Sequence, residues 1–213
     1  MQYGPKINTN GLILYLDAAN VASYPGTGTT WTDLSGNNNN FTLTNGTTYD
    51  SNNGGSLILD SSKPATRSIV STSTTISMDV WFRVTTYAET TLFYNGNGGL
   101  NGYGFAFGAC GASTSTLFVF FGGINCNVVS QANIATNTWY NAVYTRTTNS
   151  NILYINGVSV STSSFNPTAP GAATTTSIGG FNGNISIAKM YDRVLPATEI
   201  LQNYNSTKSR FGL

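Results

Sequence analysis

The sequence predicts an all-β domain that ends in one short helix, on the basis of three patterns. Apolar and polar residues alternate over ten positions, 75–84, as in a strand with one buried face. Asn-Gly pairs occur eight times, and both residues tolerate the positive φ of a hairpin turn. A helical stripe of Ile200, Leu201 and Tyr204 follows Pro196, so the helix is expected at about 196–206.

Short apolar runs place the other predicted strands along the chain. Ile152–Ile155 and Val158–Val160 flank Asn156-Gly157 and therefore predict a hairpin. Trp81 falls on the polar face of the 75–84 strand, so that face is expected to be covered or to form a contact surface. The further runs are 12–16, 57–59, 92–94, 103–107, 117–121, 139–145 and 185–188. The predicted core includes Leu14, Leu16, Leu59, Ile76, Met78, Val80, Phe82, Val143, Ile155 and Ile187.

The composition of the chain argues against several classes of function. No linker or charge block divides the 213 residues, which predicts a single domain over 1–213. A net charge of +1 without a basic run argues against nucleic acid as a partner. The chain has no His, the commonest general base and zinc ligand, and no apolar run long enough to span a membrane.

The order of several segments resembles the laminin-G-like, concanavalin A-like jelly-roll superfamily. This resemblance implies two antiparallel sheets packed face to face, with the C-terminal helix packed on the sandwich. Superfamily members include glycan-binding lectins, adhesion modules, glucanases and virion decoration or fibre proteins, so the fold alone does not give the function. The segments are GLILYLDAAN at 11–20, WTDLSGNNN at 31–39, GSLILD at 55–60, TISMDVWF at 75–82, WYNAVYT at 139–145, ILYINGV at 152–158, IGGFNGNI at 178–185, MYDRVL at 190–195 and EILQNY at 199–204.

The acidic residues argue against an enzyme. Glycoside hydrolysis needs two carboxyl groups across the scissile bond, and the glucanases of this superfamily carry two Glu on one strand. This chain has only Glu89, in a predicted loop, and Glu199, in the predicted helix. We therefore expect no catalytic residues.

A structural calcium ion is the cofactor that the resemblance suggests. Laminin-G-like domains often hold Ca²⁺ at a sheet rim through Asp and main-chain oxygens. Asp17, Asp33 and Asp60 are the candidate ligands, with Asn37 and Asn39 as neutral helpers. The alternative, which we favour, is that Asp33 and Asp60 cap turns through their own backbone. No metal or other cofactor is assigned.

The Gly-rich stretch 94–103 is the candidate ligand loop. Sugars are bound by aromatic ring faces and amide side chains, and this stretch carries both types. The candidate ligand-binding residues are Tyr94, Asn95, Asn97, Asn101 and Tyr103. The alternative is an ordinary hairpin connection.

Cys110 and Cys126 flank a predicted strand. A disulfide between them would stabilise the fold by about 3 kcal/mol in the chain-entropy model. Synthesis in a reducing cytosol favours two buried free thiols instead.

The composition and the N-terminal sequence suggest where the protein is made and where it works. Thr, Asn and Ser make up 79 residues and only 8% are charged, a composition typical of proteins that work outside cells, yet the N-terminus lacks a signal-peptide pattern. Virion proteins of bacterial viruses satisfy both conditions, since they are made in the host cytoplasm and released by lysis. The segment 205–212 also resembles the tails of such domains in phage structural proteins. We expect a capsid decoration, tail or fibre protein, with glycan binding as an additional option; the alternative is a secreted or cell-surface lectin-like carbohydrate-binding or adhesion module.

Partners are expected to be other virion proteins and further copies of this chain. Low charge lets like surfaces meet, and the chain has 12 Tyr and 11 Phe. Leu117–Phe121 is apolar at every position, so both of its faces should be covered. A loop of the same chain or, as we expect, a neighbouring subunit would cover the second face; the alternative is a doubly buried central strand.

Overall fold

Two antiparallel sheets form a β-sandwich, as the sequence predicts. The computed structural model describes residues 6–44, 46–97, 99, 101–108, 113–122, 129–166 and 175–213. The first sheet has the order β14-β13-β12-β7-β16-β5-β4, and β1 also pairs with β16. The second sheet has the order β11-β10-β9-β8-β15-β6-β3-β2. A single helix α1 follows the last strand, and among the described residues no helix has the length and apolar character to cross a membrane.

The strands and helices have the following bounds. The first eight strands are β1 Leu12–Asp17, β2 Thr30–Trp31, β3 Phe41–Leu43, β4 Thr48–Asp50, β5 Ser56–Leu59, β6 Ala65–Ser68, β7 Ile76–Thr86 and β8 Thr90–Asn97. The next eight are β9 Asn101–Phe107, β10 Leu117–Phe121, β11 Ser130–Gln131, β12 Trp139–Thr147, β13 Ser150–Ile155, β14 Val158–Ser163, β15 Thr175–Ile178 and β16 Asn182–Tyr191. Helix α1 is Ala197–Thr207, and 3-10 helices span Asn52–Gly54 and Lys208–Phe211.

The predicted core is buried at all ten positions, although it divides between two layers. Eight of the residues lie between the sheets with the inward side chains of both. Val143 and Ile187 lie instead on the outer face of the first sheet, where they pack in two smaller apolar clusters. The first sheet is therefore apolar on both faces, and its outer face needs a cover.

The C-terminal segment supplies that cover and accounts for Trp81. Trp81 is fully buried, with its ring stacked 4.1 Å from the Phe211 ring and 5.7 Å from the Tyr204 ring between centroids. Ile200 of α1 is also fully buried, whereas Leu201, which the predicted stripe placed inward, is 46% exposed. The prediction that the polar face of β7 is covered is confirmed.

The predicted hairpin is also present, with Asn156 at φ 51° and Gly157 at φ 80° between β13 and β14.

We expect Gly157→Ala to lower the free energy of unfolding by about 1–2 kcal/mol, because an L-residue is strained at this φ. A Cβ here would also lie 3.1 Å from Leu201 Cδ1. Gly28→Ala is the matched control, since Gly28 has φ 97° and open space around its Cα. Urea denaturation checks both; equal losses would exclude a contribution from the Leu201 contact.

Strand β10 corrects one prediction. It is the second strand from the edge of its sheet, so it is not a central strand. Phe118, on the face away from the core, is nonetheless fully buried within one chain, while Phe120 is partly exposed and packs against Tyr94 with 5.6 Å between ring centroids. A second subunit is therefore not needed to cover Phe118, and self-assembly stays a prediction without support from this strand.

Candidate functional site

The predicted ligand loop is a β-hairpin, and three of its five candidate residues are buried. Strands β8 and β9 run to Asn97 and from Asn101, which leaves a short turn. Tyr103 and Asn95 are fully buried and Tyr94 is 3% exposed, so neither tyrosine ring offers a face for stacking. Their polar atoms are satisfied internally: the Tyr103 hydroxyl donates to Ser73 O, and the Asn95 amide donates to Ser71 O.

This placement corrects the expected aromatic platform. The glycines that suggested a loop instead permit close strand pairing, because a Cβ at Gly102 would lie only 2.9 Å from both Asn97 N and Gly96 Cα. Burial raises the pKa of the Tyr103 hydroxyl to about 12, as expected for a phenol in the interior. Of the five candidates, only Asn97 is exposed and Asn101 partly so. Ligand binding by these two amides stays a prediction.

The three candidate calcium ligands lie in separate hydrogen-bond systems. Asp33 accepts bonds from the backbone N of Tyr15, Ser35 and Asn39 at 2.9 Å each. Asp60 accepts from Ser62 N at 2.8 Å. These bonds match the turn-capping alternative.

Asp17 forms a bidentate ion pair with Arg210 at 2.9 and 3.1 Å. Among the described residues, no three acidic, His or Cys side chains come close enough to hold a metal together. Cys110 and Cys126 lie outside the described residues.

A cleft on the outer side of β1 is a candidate binding site. It has a volume of about 500 Å³, within the usual range for small-molecule sites. Its apolar surface comes from Ile7, Leu12, Leu34 and the partly buried ring of Tyr15. Its polar residues are Lys6, Thr9, Ser35, Ser206 and Thr207.

Hydrogen bonds fix the walls of this cleft. The segment 6–10 is held against α1 because Asn8 N donates to Asn203 Oδ1 at 2.8 Å and Gln202 Nε2 donates to Lys6 O at 2.7 Å. The opposite wall, residues 34–35, is held by Leu34 N donating to Tyr15 O at 2.7 Å and by the Asp33 turn. The cleft is therefore largely preformed, which reduces the entropy lost on binding.

The polar groups around the cleft differ in availability. The Ser206 and Ser35 hydroxyls already donate, to Asn203 O and Asp33 Oδ2. The Thr9 hydroxyl and the Lys6 ammonium make no hydrogen bond or ion pair within the described part of the chain. Burial and the neighbouring Asp17 carboxylate raise the pKa of Tyr15, which therefore remains a neutral hydroxyl at physiological pH. The cleft thus suits a ligand with an apolar face and several hydroxyls.

A second surface lies on the outside of the second sheet, where four hydroxyl-bearing residues form a row across the strands. Thr30 pairs with Thr42, Thr42 with Thr66, and Thr66 with Ser177. The alternate positions, such as Phe41 and Ala65, point into the core, so this hydroxyl row faces away from it. Its four hydroxyls make no hydrogen bonds among the described residues, which leaves them free for a ligand or for water.

Sequence reasoning missed the cleft because its residues come from four separated segments. One signal was present: Leu14 and Leu16 face the core, so alternation in β1 places Tyr15 outward beside them. An aromatic ring on the outward face of a strand is typical either of a covered face or of a binding surface. Tyr15 has both roles, because it packs against the Trp81 cluster and also lines the cleft.

Comparisons with known proteins agree with this architecture. The family model of the concanavalin A-like lectin/glucanases superfamily, Laminin_G_3, matches residues 60–201. Domain 4 of AbnA, a GH43 extracellular arabinanase from Geobacillus stearothermophilus solved with arabinotriose, is similar with a TM-score of 0.72 and 16% identity. That match covers 91% of this chain and 98% of the domain.

Two larger proteins contain a similar domain. Trypanosoma rangeli sialidase matches with a TM-score of 0.70 and 13% identity over 94% of this chain and 33% of the sialidase. The binding domain of botulinum neurotoxin DC, solved in complex with SialylT, matches with a TM-score of 0.70 and 16% identity over 93% of this chain and 52% of its own. No curated protein sequence matches this chain. At these identities the structural likeness shows the fold alone.

Proposed function

Because the chain belongs to the concanavalin A-like lectin/glucanases superfamily, we propose that it is a lectin-like module that binds carbohydrate without cleaving it. The observation that carries the proposal is the preformed cleft of about 500 Å³ beside Tyr15, with apolar surface, several hydroxyls and the Lys6 ammonium. Such a lining matches a sugar, whose C–H faces are apolar and whose edges carry hydroxyls. Similar structures solved with arabinotriose and with SialylT support this ligand class.

The absence of turnover is part of the same proposal. Glu199 lies in α1 and pairs with Arg193, whereas Glu89 is an exposed residue between β7 and β8. These two glutamates therefore belong to different elements and do not form a strand-borne pair. Incubation with arabinan, β-glucan and sialylated glycans should release no reducing sugar; release that is lost in Glu89→Gln would contradict the proposal.

Blocking the cleft should weaken binding. A glycan array that includes arabinotriose and sialylated oligosaccharides identifies the strongest ligand, and titration calorimetry then measures its affinity. We expect Thr9→Trp to weaken that affinity at least tenfold, about 1.4 kcal/mol, because Thr9 is exposed at the cleft and an indole there occupies the ligand's space.

Two controls locate the site. Thr27→Trp places the same ring at a separate cavity of about 290 Å³ and should leave the affinity unchanged. Thr66→Val removes one member of the hydroxyl row. Loss of affinity in Thr66→Val alone would move the site to that row, and no retained glycan on the array would remove the proposed function.

We infer a structural protein of a bacterial virion, in the capsid decoration or the tail or fibre, that carries the binding module outward. Two features of the composition support this setting: only 8% of the residues are charged, and the chain is rich in Thr, Asn and Ser. Mass spectrometry of purified particles should detect the chain, and detection only in the secreted fraction of a cell culture would favour the adhesion-module alternative.

A further inference from the structure

Three polar side chains of the first sheet are enclosed beneath the C-terminal cover. Asp79 of β7, Lys189 of β16 and Asn141 of β12 are each 1% exposed. Asp79 and Lys189 are directly opposite in the antiparallel pairing of β7 with β16. Burial of a charged pair costs desolvation free energy and adds little net stability compared with apolar side chains. Stability alone therefore does not explain why this pair is buried.

The contacts within this group are those of a nucleophile, a carboxyl group and a hydrogen-bond donor. Lys189 Nζ lies 2.7 Å from Asp79 Oδ2. Asn141 Nδ2 donates to Asp79 Oδ1 at 2.7 Å. The two oxygens of one carboxyl group therefore have different partners: one faces the amine, and the other faces an amide N–H.

The surroundings exclude water from the three residues. Val143, Tyr191, Leu195 and Ile200 form one apolar cluster on this face, and Trp81 belongs to a second with Trp139, Ile187 and Phe211. Val143 is the residue opposite Asp79 on the β12 side. A dry site favours neutral over charged groups and favours condensations that release water to the bulk solvent.

From this geometry we propose that Lys189 and Asp79 condense into an intramolecular amide bond that links β7 to β16. Lys189 first passes a proton to Asp79 Oδ2, which gives a neutral amine and a carboxylic acid. The amine attacks Asp79 Cγ, and Asn141 Nδ2 stabilises the negative charge that develops on Oδ1. A second proton moves from the attacking nitrogen to Oδ2, which leaves as water. One ammonium and one carboxylate thus become one amide and one water, and no oxidant or co-reactant is required.

Fixed geometry is the reason for this reaction to occur without an enzyme. The sheet holds amine and carboxyl in contact, which replaces a bimolecular encounter by an intramolecular one with a high effective concentration. The pair of Lys63 and Asp60, at 3.9 Å, is open to solvent and not in direct contact, so it is expected to stay ionic. This inference does not rest on the carbohydrate-binding function.

The test is mass spectrometry of the purified full-length chain after prolonged incubation at neutral pH. We expect an intact mass lower than the sequence mass by one water, and, after denaturation and trypsin digestion, a branched peptide that joins 68–83 to a segment uncleaved at Lys189. Lys189→Arg should abolish the branched peptide, and Lys63→Arg should leave it unchanged. Asn141→Leu should slow its formation, because Oδ1 loses its donor.

Each other outcome overturns the proposal. The wild-type chain needs no substitution for this test, so a variant that fails to fold does not weaken it. Full sequence mass with normal cleavage after Lys189 would show that the pair is only ionic. Loss of ammonia with a branch at Asn141 would show that Asn141, and not Asp79, is the group attacked.

Discussion

Trp81→Ala is expected to lower the free energy of unfolding by about 3–5 kcal/mol, the usual range for removing a large buried aromatic side chain. Trp81 is fully buried, and its ring separates β7 from Phe211 and Tyr204. Alanine leaves a cavity between the first sheet and the C-terminal segment and removes two stacking contacts. Guanidinium denaturation followed by far-UV circular dichroism measures the change.

Trp81→Phe is the matched variant, and it should lose much less stability. Phenylalanine keeps a ring in the stack, and it removes a buried indole N–H that has no hydrogen-bond partner among the described residues. If Trp81→Phe and Trp81→Ala lost equal stability, the ring stack would not be what holds the C-terminal segment in place. Val21→Ala, at a side chain that is 79% exposed, should be close to neutral by comparison.

Alkaline pH should unfold the protein at temperatures where it is stable at neutral pH. Burial raises the pKa of Tyr103 to about 12 and raises those of Tyr15, Tyr94, Tyr144 and Tyr191 further. In the unfolded chain these phenols lose their protons near pH 10. Above about pH 10 the folded state therefore holds more protons than the unfolded state, so the free energy of unfolding falls as the pH rises.

The steepness of this fall follows from proton counting. Each tyrosine that stays protonated only in the folded state removes up to about 1.4 kcal/mol per pH unit. Below about pH 10 both states hold these protons, and stability should be independent of these groups. Thermal unfolding across this range, with tyrosinate absorbance recorded in parallel, measures the effect. Between about pH 10 and pH 12, Tyr103→Phe should make the free energy of unfolding fall less steeply with pH, by the contribution of about one proton. A Tm that stays constant to pH 12 would contradict the expectation.

Alternation and turn chemistry predicted the long strands well, because both are local. The period-two pattern of β7 and the Asn156-Gly157 turn depend only on neighbouring residues, and both are confirmed. Several short strands were missed because they have only two to four residues, too few for a period to be visible: β2, β3, β4, β6, β11 and β15. Their place is decided by pairing with distant strands.

The functional side chains were predicted less well, because burial is a property of the whole fold. Tyr94 and Tyr103 lie beside many glycines, which suggested a loop, and only the pairing of β8 with β9 shows that both are interior. Asp79 and Lys189 occupy outward positions of their strands, which in an open sheet would face water. The C-terminal segment covers them, and the one local indication of this cover in the sequence is Trp81, two positions from Asp79 on the same face of β7.

The place of β7 in the first sheet has a consequence for the order of folding. Its two partners are β12, which begins at Trp139, and β16, which ends at Tyr191, so its hydrogen bonds close long loops. Closing these long loops costs chain entropy before any contact between the strands forms, so folding is expected to be slow compared with that of helical domains. During synthesis on the ribosome, β7 emerges well before either neighbour, and its apolar face stays without its native partners until they follow. The buried group at Asp79 therefore becomes dry last, after the sheet and its C-terminal cover are both in place.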